Sequence, residues 1–351
     1  MTKGRVAVAL SGGVDSSVAA SILKGAGCEV TGICVYLWDS PQSEHQAYQA
    51  ESVCHILNIP FYSVDLRKEF AHYVVDYFCQ EYKQGRTPNP CVACNQHIKF
   101  GFLLDKALSL GADYLATGHY ARIEHLDDGH HLLKALDTSK DQSYFLYTLS
   151  RGKLGHILFP LGVYTKAEVR QMAKRGGLPV ANKASQDICF ISQKNYRAFL
   201  NQRFSNMPGD IIDAQGTILG YHQGIAFYTV GQRHGLGLAS GKPLYVIKIE
   251  PGVNRIVLGE EKELYSQKVT AGRLNWVCEP PSETVSITAK IRYKSKEAKA
   301  TLSPNGDSVD ICFPQPQKAV TPGQAIVFYK GNEVLGGGTI SNAKSKNTGQ
   351  K

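Results

Sequence analysis

The chain is organised around the stretch Ala9-Leu10-Ser11-Gly12-Gly13-Val14-Asp15-Ser16-Ser17. An apolar run from Val6 to Leu10 leads into the glycines and predicts a buried parallel strand. The run from Val18 to Leu23 predicts the opening of a helix. A strand, a glycine turn and a helix N-terminus make an anion-binding arrangement, because the backbone N–H groups and the helix dipole point at whatever lies over the turn.

The residue types in this turn suit a phosphate ligand. Gly12 and Gly13 allow close approach of the backbone, and the neighbouring serines add hydroxyl donors. Asp15 is expected either to cap the helix or to hold Mg2+. The stretch lacks the Gly-Lys-Ser/Thr of a Walker A loop and the G-x-G-x-x-G of a dinucleotide-binding turn. An ordinary strand-to-helix turn with a helix cap is the alternative.

The composition indicates a globular protein of two or three domains. The chain has 351 residues and a formal charge of +9, which suits a polyanionic partner, although solvated surface lysines give the same balance. It has nine cysteines, no apolar run of about 18 residues, and an N-terminus that leads directly into the first predicted strand. We therefore expect a cytoplasmic protein without membrane contact, whose paired cysteines are catalytic, redox-active or metal-binding.

The first part of the chain alternates predicted strands and helices. Strands are expected from Glu29 to Trp38 and from Phe61 to Asp65, and helices at 43–57 and 68–82. This alternation predicts an α/β fold with a doubly wound parallel sheet. Because ligands of such sheets bind beyond the carboxyl ends of the strands, Val35 is expected near the ligand that binds at the turn.

Two prolines and an asparagine in the segment 85–95 predict a rigid, irregular loop that ends in the C-x-x-C of Cys91 and Cys94. A helix is predicted from Ile98 to Leu110, so Cys94 would lie just before its N-terminus and have a lowered thiol pKa. The pair can be redox-active, half of a zinc site or two buried thiols. A zinc ribbon is disfavoured because the sequence has no second C-x-x-C.

Three further segments carry polar candidates. The strand predicted at 112–120 ends in Thr117-Gly118-His119, where Gly118 permits close approach of a ligand and His119 either faces the same crevice or packs in the fold. The segment Lys140-Asp141-Gln142-Ser143-Tyr144-Phe145-Leu146 suits phosphate and base contacts, or begins a helix. Cys189 is flanked by apolar residues and, taken alone, is a buried structural thiol.

The pattern changes after about residue 209. Short strand-like runs separated by Gly, Pro and Asn follow, and alternating runs from Val269 onward predict a small β-barrel. The glycine-rich stretch 224–241 does not follow a dinucleotide pattern, so it is given no nucleotide role. We predict a catalytic domain at 1–205, a small central domain at 206–266, a C-terminal β-barrel at 267–342, and a disordered tail at 343–351.

Together these motifs resemble the bacterial tRNA-specific 2-thiouridylases of the PP-loop ATP pyrophosphatase superfamily. The resemblance rests on Ser-Gly-Gly-Val-Asp-Ser at 11–16, Thr-Pro-Asn-Pro at 87–90 before Cys-Asn at 94–95, Ala-Thr-Gly-His-Tyr at 116–120, Lys-Asp-Gln-Ser-Tyr-Phe-Leu at 140–146, Ile-Cys-Phe-Ile at 188–191 and Thr-Pro-Gly-Gln at 321–324. It covers nearly the whole chain. It implies a tRNA-uridine 2-sulfurtransferase that uses ATP and Mg2+.

The resemblance also assigns roles to single residues. It implies an ATP site formed by Ala9, Leu10, Ser11, Gly12, Gly13, Val14, Asp15 and Ser16 with Val35 and Gly118. It implies a nucleophile at Cys94 and a persulfide carrier at Cys189. It implies tRNA contacts from His119, Lys140, Asp141, Gln142, Arg292, Tyr293 and Gln324, with Asn89, Pro90 and Cys91 against the target base.

The expected partners are the anticodon stem-loop of tRNA, with its wobble uridine, and a sulfur-donor relay protein or cysteine desulfurase. A uracil C2 carbonyl has a poor leaving group, and transfer of AMP to its oxygen supplies a good one. The terminal sulfur of a persulfide on Cys189 then attacks C2, and Cys94 attacks the persulfide, which either frees sulfide or closes a Cys94–Cys189 disulfide. The wobble base lies in a loop, from which it can be splayed out for this reaction.

One position departs from the family pattern, because many members carry Asp where this chain has Cys91. Cys91, Cys94 and Cys189 could instead hold a [4Fe–4S] cluster whose unique iron binds sulfide. Two other functions remain open: an adenylating synthetase or ligase that acts on a small molecule, and a non-enzymatic RNA-binding protein.

Overall fold

We describe the protein from a computed structural model that covers residues 4–178, 188–191, 195–205, 207–238 and 241–345. The described strands are β1 (Arg5–Ala9), β2 (Glu29–Tyr36), β3 (Phe61–Asp65), β4 (Tyr114–Ala116), β5 (Ala121–Leu126), β6 (Gly129–Lys134), β7 (Ile157–Leu158), β8 (Gly209–Ile212), β9 (Ile218–His222), β10 (Tyr245–Glu250), β11 (Arg255–Gly259), β12 (Tyr265–Trp276), β13 (Val285–Lys290), β14 (Ala298–Asn305), β15 (Ser308–Lys318), β16 (Ala325–Lys330) and β17 (Glu333–Ser345).

The described α-helices are α1 (Val14–Gly25), α2 (Pro41–Leu57), α3 (Arg67–Phe70), α4 (Tyr77–Lys83), α5 (Pro90–Ala93), α6 (Leu104–Ser109), α7 (Arg151–Leu154), α8 (Lys166–Arg175) and α9 (Tyr196–Asn201). π-Helical segments at Ala71–Asp76 and Cys94–Leu103 continue α3 into α4 and α5 into α6. Short 3₁₀ turns lie at Ser143–Phe145, Ile225–Phe227, Pro251–Val253 and Glu261–Leu264.

The N-terminal sheet positions the candidate site. Its strands lie in the order β3-β2-β1-β4-β7, and every adjacent pair is parallel. Val6, Ala7 and Val8 are all buried, as expected for a strand that is covered on both faces. Strand β2, which follows β1 in the sequence, pairs with one side of β1, and β4 pairs with its other side. Because the strand order reverses between β1 and β4, a crevice opens at the carboxyl ends of these two strands.

The predicted α/β fold class is confirmed, but one predicted helix boundary is wrong. The helix expected to begin at Ile98 begins at Pro90 and runs without interruption to Ser109. Pro90 takes the first helical position, where its missing N–H costs nothing. Asn89 caps the helix, since its side-chain oxygen accepts from Val92 N at 3.4 Å. The C-x-x-C pair therefore lies inside the helix rather than before it.

Two β structures follow the N-terminal sheet. Strands β10-β11-β8-β9 form a four-stranded sheet. Strands β12-β15-β14-β13-β16-β17 form the predicted barrel, which is closed by antiparallel pairing of β12 with β17. Because β17 extends to Ser345, residues 343–345 of the predicted tail belong to a strand, and residues 346–351 lie outside the described part of the chain.

A hairpin of the N-terminal part joins the barrel. Strands β5 and β6 are linked by a turn at Asp127-Asp128, and Leu133 of β6 pairs with Glu333 of β17. His131 ties the two parts together, with its Nδ1 2.6 Å from Glu333 Oε1 and its Nε2 2.9 Å from Asp128 Oδ1. Hydrogen bonds to Glu333 and Asp128 raise the pKa of His131.

This contact predicts a pH-dependent stability. A His pKa that is raised by folding stabilises the fold fully below the unfolded value of about 6.5, and the contribution is lost as pH rises through the folded value. Glu333→Gln should therefore lower the free energy of unfolding by about 1 kcal/mol at pH 6 and far less at pH 8.5. Thermal unfolding at the two pH values measures this, with Glu283→Gln, an exposed residue just before β13, as control. Equal losses at both pH values would contradict the prediction.

Among the helices of the described residues, none is long and apolar enough to cross a membrane.

Candidate active site

The predicted phosphate turn has the expected geometry. Residues 9–16 run from the end of β1 through the glycines into α1. Gly12 has a φ of +69°, and an added Cβ would lie 2.7 Å from Gln49 Cβ, so a larger residue would collide with α2. No side chain of the described residues caps α1, so its first N–H groups stay available to an anion. The Ser16 and Ser17 hydroxyls donate to Gly13 O at 3.1 and 2.9 Å.

Asp15 takes neither of its two predicted roles in this structure. Lys166 Nζ donates to both carboxylate oxygens of Asp15, at 2.5 and 2.6 Å, and the Tyr120 hydroxyl donates to Oδ1 at 3.0 Å. A magnesium ion on this carboxylate would have to displace the ammonium group. Asp15 therefore does not form a magnesium site in the described arrangement, and we derive no step from one.

The Lys166 contact was not foreseen from the sequence. Lys166 begins α8, where a positive charge opposes the helix dipole, and this unfavourable placement is a signal that a carboxylate lies nearby.

Gly118 and Val35 border the turn. Val35 lies near the carboxyl end of β2, next to β1. An added Cβ on Gly118 would lie 2.8 Å from Ser16 N and 2.9 Å from Asp15 C, both backbone atoms of α1. The close approach predicted at Gly118 is therefore made by the first turn of α1 itself.

The predicted lowering of the Cys94 pKa is wrong. Cys94 is 9% exposed and lies one turn inside the helix, where loss of hydration outweighs any effect of the helix N-terminus. Burial raises the pKa of the Cys94 thiol to about 12, opposed by the positive charge of Lys99 and reinforced by Cys189 and Cys91. The thiol is therefore protonated at neutral pH in this state.

The charge of Lys99 also acts on the thiols of Cys91 and Cys189. Both side chains are exposed, and partial loss of hydration from neighbouring groups raises the pKa of each thiol, to about 11 for Cys189, while the positive charge of Lys99 opposes this increase. The neighbouring Phe190 is buried and packs edge-to-face on Phe70 and Phe78, at centroid distances of 5.7 and 5.4 Å, which anchors Cys189 at this place. The structure thus corrects the interpretation of Cys189 as a buried thiol.

The thiols do not form a metal site in the described residues, where no group of three His, Cys, Asp or Glu side chains is arranged to hold a metal ion. The donor types suit an iron–sulfur cluster, but their placement does not, and we derive no step through a cluster.

His119 faces the cysteine-bearing helix. Its Nε2 lies 3.5 Å from Lys99 Nζ, and its Nδ1 lies 2.7 Å from Thr117 Oγ1. Because an ammonium group only donates, Nε2 must accept and Nδ1 must carry the ring proton, which it donates to Thr117. Burial, together with the charge of Lys99, holds the pKa of His119 well below its usual range, so the ring is neutral.

The loop before the cysteines is held by all three parts of the chain. Thr87 N donates to Pro322 O at 2.9 Å, and Gln324 Nε2 donates to Thr87 O at 2.9 Å. The Thr87 hydroxyl donates to Thr229 Oγ1 at 3.3 Å. Gln324 therefore fixes the backbone that leads to Asn89, Pro90 and Cys91.

Apart from His119 and Gln324, the residues predicted to contact tRNA fall into two groups, and those of the first group, Lys140 and Tyr293, are at least partly exposed. Lys140 is exposed. Tyr293 is half-buried, and its ring packs tilted against Phe145 at a centroid distance of 4.4 Å. Burial raises the pKa of Tyr293, and the charges of Asp141 and Cys91 raise it further.

The second group is engaged in internal contacts. Asp141 Oδ1 accepts from Ala135 N at 3.0 Å, and Gln142 Oε1 accepts from Tyr120 N at 3.0 Å. Arg292 Nη2 donates to Ala319 O at 2.8 Å and to Val230 O at 3.1 Å, which joins the barrel to the segment before β10.

Three sequence profiles match the chain in succession. The tRNA methyl transferase HUP domain matches residues 4–193, the tRNA methyl transferase PRC-barrel domain matches 197–260, and the aminomethyltransferase β-barrel domain matches 266–340. Together they follow the order of the parallel sheet, the four-stranded sheet and the barrel.

Similar proteins span almost the full length of the chain. The tRNA-specific 2-thiouridylase MnmA of Carboxydothermus hydrogenoformans is 47% identical over 356 residues, with 96% of this chain and 97% of that protein covered. The protein of the same description from Moorella thermoacetica is 48% identical over 351 residues, with 95% and 98% covered. That from Halothermothrix orenii is 47% identical over 352 residues, with 96% and 98% covered.

Proposed function

This chain belongs to the family of tRNA-specific 2-thiouridylases, and from that premise we propose that it thiolates C2 of the wobble uridine of tRNA. One observation carries the proposal: the two residues Gly118 and His119, which follow β4, contact both the phosphate turn and the helix that carries Cys91 and Cys94. Gly118 packs on the backbone of the phosphate turn at Ser16, and His119 meets Lys99 of the cysteine helix. A nucleotide over the turn and a sulfur carrier at the cysteines could therefore act on one base.

The first step activates the uridine. Its O2 attacks the α-phosphorus of ATP, an O–P bond forms, the bond to pyrophosphate breaks, and the N3 proton is lost. The uncapped N–H groups of α1 bind the phosphates. Magnesium would be bound by the triphosphate of ATP, since the Asp15 carboxylate is already paired with Lys166. Residues 9–16, Val35 and Gly118 are the proposed ATP site.

The second step transfers sulfur. The terminal sulfur of a persulfide on Cys189 attacks C2, and the C2–O bond breaks as AMP leaves with the uridine oxygen. Cys94 then loses its proton and attacks Sγ of Cys189. The S–S bond breaks, 2-thiouridine leaves with the electron pair and regains its N3 proton, and Cys94 and Cys189 form a disulfide. A thiol reductant restores both cysteines.

Several finer assignments belong to the same proposal. A relay protein or a cysteine desulfurase loads Cys189, which is exposed, and the enzyme works in the cytoplasm. The tRNA would contact His119, Lys140, Asp141, Gln142, Arg292, Tyr293 and Gln324, and the target base would lie against Asn89, Pro90 and Cys91. The division at 1–205, 206–266 and 267–342 would separate catalysis from tRNA binding.

The proposal is tested with purified protein, unmodified tRNA, ATP, a persulfide donor and a reductant. Mass spectrometry of the digested tRNA should find 2-thiouridine at the wobble position, with one AMP and one pyrophosphate formed for each. ATP cleavage that depends on a small molecule and not on tRNA would instead favour an adenylating synthetase. Binding of tRNA without ATP cleavage would favour a non-enzymatic RNA-binding protein.

Cys91 separates the persulfide route from the cluster route. On the persulfide route Cys91 carries no sulfur, so Cys91→Ser should keep 2-thiouridine formation within about tenfold of the unchanged protein. If a [4Fe–4S] cluster carried the sulfur, loss of one of its ligands should abolish the activity. Iron and sulfide analysis after anaerobic purification provides the independent measurement. Stoichiometric iron in active protein, together with an inactive Cys91→Ser, would contradict the persulfide route.

A further inference from the structure

We propose that Lys99, held in place by His119, binds the phosphate of the adenylated uridine and holds its C2 atom against the cysteines. This inference rests on the proposed function and adds a residue to which no role was assigned by sequence reasoning.

The π-helical segment places Lys99 on the cysteine side of the helix. In an α-helix, a residue five positions after Cys94 would lie about 140° around the axis. The segment Cys94–Leu103 is π-helical, and its i to i+5 hydrogen bonds bring such a residue back to nearly the same face. In agreement with this placement, the charge of Lys99 acts on the thiols of Cys91, Cys94 and Cys189.

The contacts of Lys99 leave its positive charge uncompensated. Its hydrogen-bond partner is the neutral ring of His119, which Thr117 fixes in one tautomer. No carboxylate of the described residues forms an ion pair with Lys99, whereas Lys166 Nζ is paired with both carboxylate oxygens of Asp15 in the phosphate turn. A half-buried ammonium group without a counter-ion attracts an anion strongly.

The position of Lys99 suits the place where anionic groups meet in the reaction. His119 directly follows Gly118, which packs on the phosphate turn, so the contact of His119 with Lys99 links that turn to the helix that carries Cys91 and Cys94. The adenylated uridine carries a negative phosphate, and the attacking persulfide sulfur is also an anion. A fixed cation between them reduces their repulsion and stabilises the departing AMP.

The test compares Lys99→Gln, Lys99→Met and Lys99→Arg, with Lys106→Gln, exposed on the same helix, as control. Lys99→Gln and Lys99→Met should lower kcat for 2-thiouridine formation by about 10²-fold or more, with little change in KM for tRNA. Lys99→Arg should restore a large part of kcat because it keeps the charge. Lys106→Gln should match the unchanged protein, and equal thermal unfolding temperatures would show that all variants fold.

Three outcomes would overturn the inference: unchanged kcat in both neutral variants, a loss confined to KM for tRNA, or no recovery in Lys99→Arg. Each of these leaves the proposed function standing, because the unchanged protein is active in the same assay. If the unchanged protein makes no 2-thiouridine, the proposed function fails and the inference fails with it.

Discussion

Cys189→Ser should lower 2-thiouridine formation by at least about 10³-fold while tRNA-dependent release of pyrophosphate continues. A serine hydroxyl cannot carry the transferable sulfur, so the second step stops, but the phosphate turn and its contact with Gly118 are untouched. The measurement pairs mass spectrometry of tRNA nucleosides with a pyrophosphate assay in a single turnover.

The matched control for this prediction is Cys312→Ser, which removes another exposed cysteine from the barrel strand β15. It should behave as the unchanged protein. If Cys189→Ser still made 2-thiouridine at the normal rate, the sulfur would not travel through Cys189. If it also abolished pyrophosphate release, Cys189 would be needed for the first step, which the proposed order of events does not allow.

Gly118→Ala should weaken ATP binding and lower pyrophosphate release by about 10²-fold. The added Cβ would lie 2.8 Å from Ser16 N and 2.9 Å from Asp15 C, and neither backbone atom can move aside without displacing the first turn of α1. The phosphate-binding N–H groups would move with it. The dependence of pyrophosphate release on ATP concentration, measured with saturating tRNA, gives both effects.

Gly25→Ala is the control for this substitution, because Gly25 ends the same helix and an added Cβ there meets nothing within 4 Å. It should leave ATP use unchanged. An unchanged ATP dependence in Gly118→Ala, with the protein folded, would mean that the phosphates do not bind over α1.

The sequence was sufficient to predict the parallel sheet, the phosphate turn and the barrel, because each depends on short-range patterns. The strand at 61–65 has the predicted bounds, since the run of strand-forming residues is flanked by clear turn residues. Close approach was predicted at Gly12 and Gly118, and the atoms that an added Cβ would meet there belong to α2 and to the first turn of α1.

The electrostatics of the site could not be predicted in the same way. The pKa of Cys94 depends on burial by distant segments, and the pairing of Asp15 with Lys166 joins residues far apart in the chain. Lys99 was given no role because the predicted helix began at Ile98, after Cys94, and no local pattern indicates that one continuous helix with a π-helical segment carries both residues. The contact of Arg292 with Val230 and Ala319 likewise depends on how the barrel meets the rest of the chain.

The central claim is that ATP over the first turn activates the same uridine oxygen that sulfur from Cys189 replaces. An anticodon stem-loop with ¹⁸O at O2 of the wobble uridine tests this most directly. The account predicts one ¹⁸O in the phosphate of AMP for each 2-thiouridine formed. Unlabelled AMP, with the ¹⁸O released to water, would contradict it.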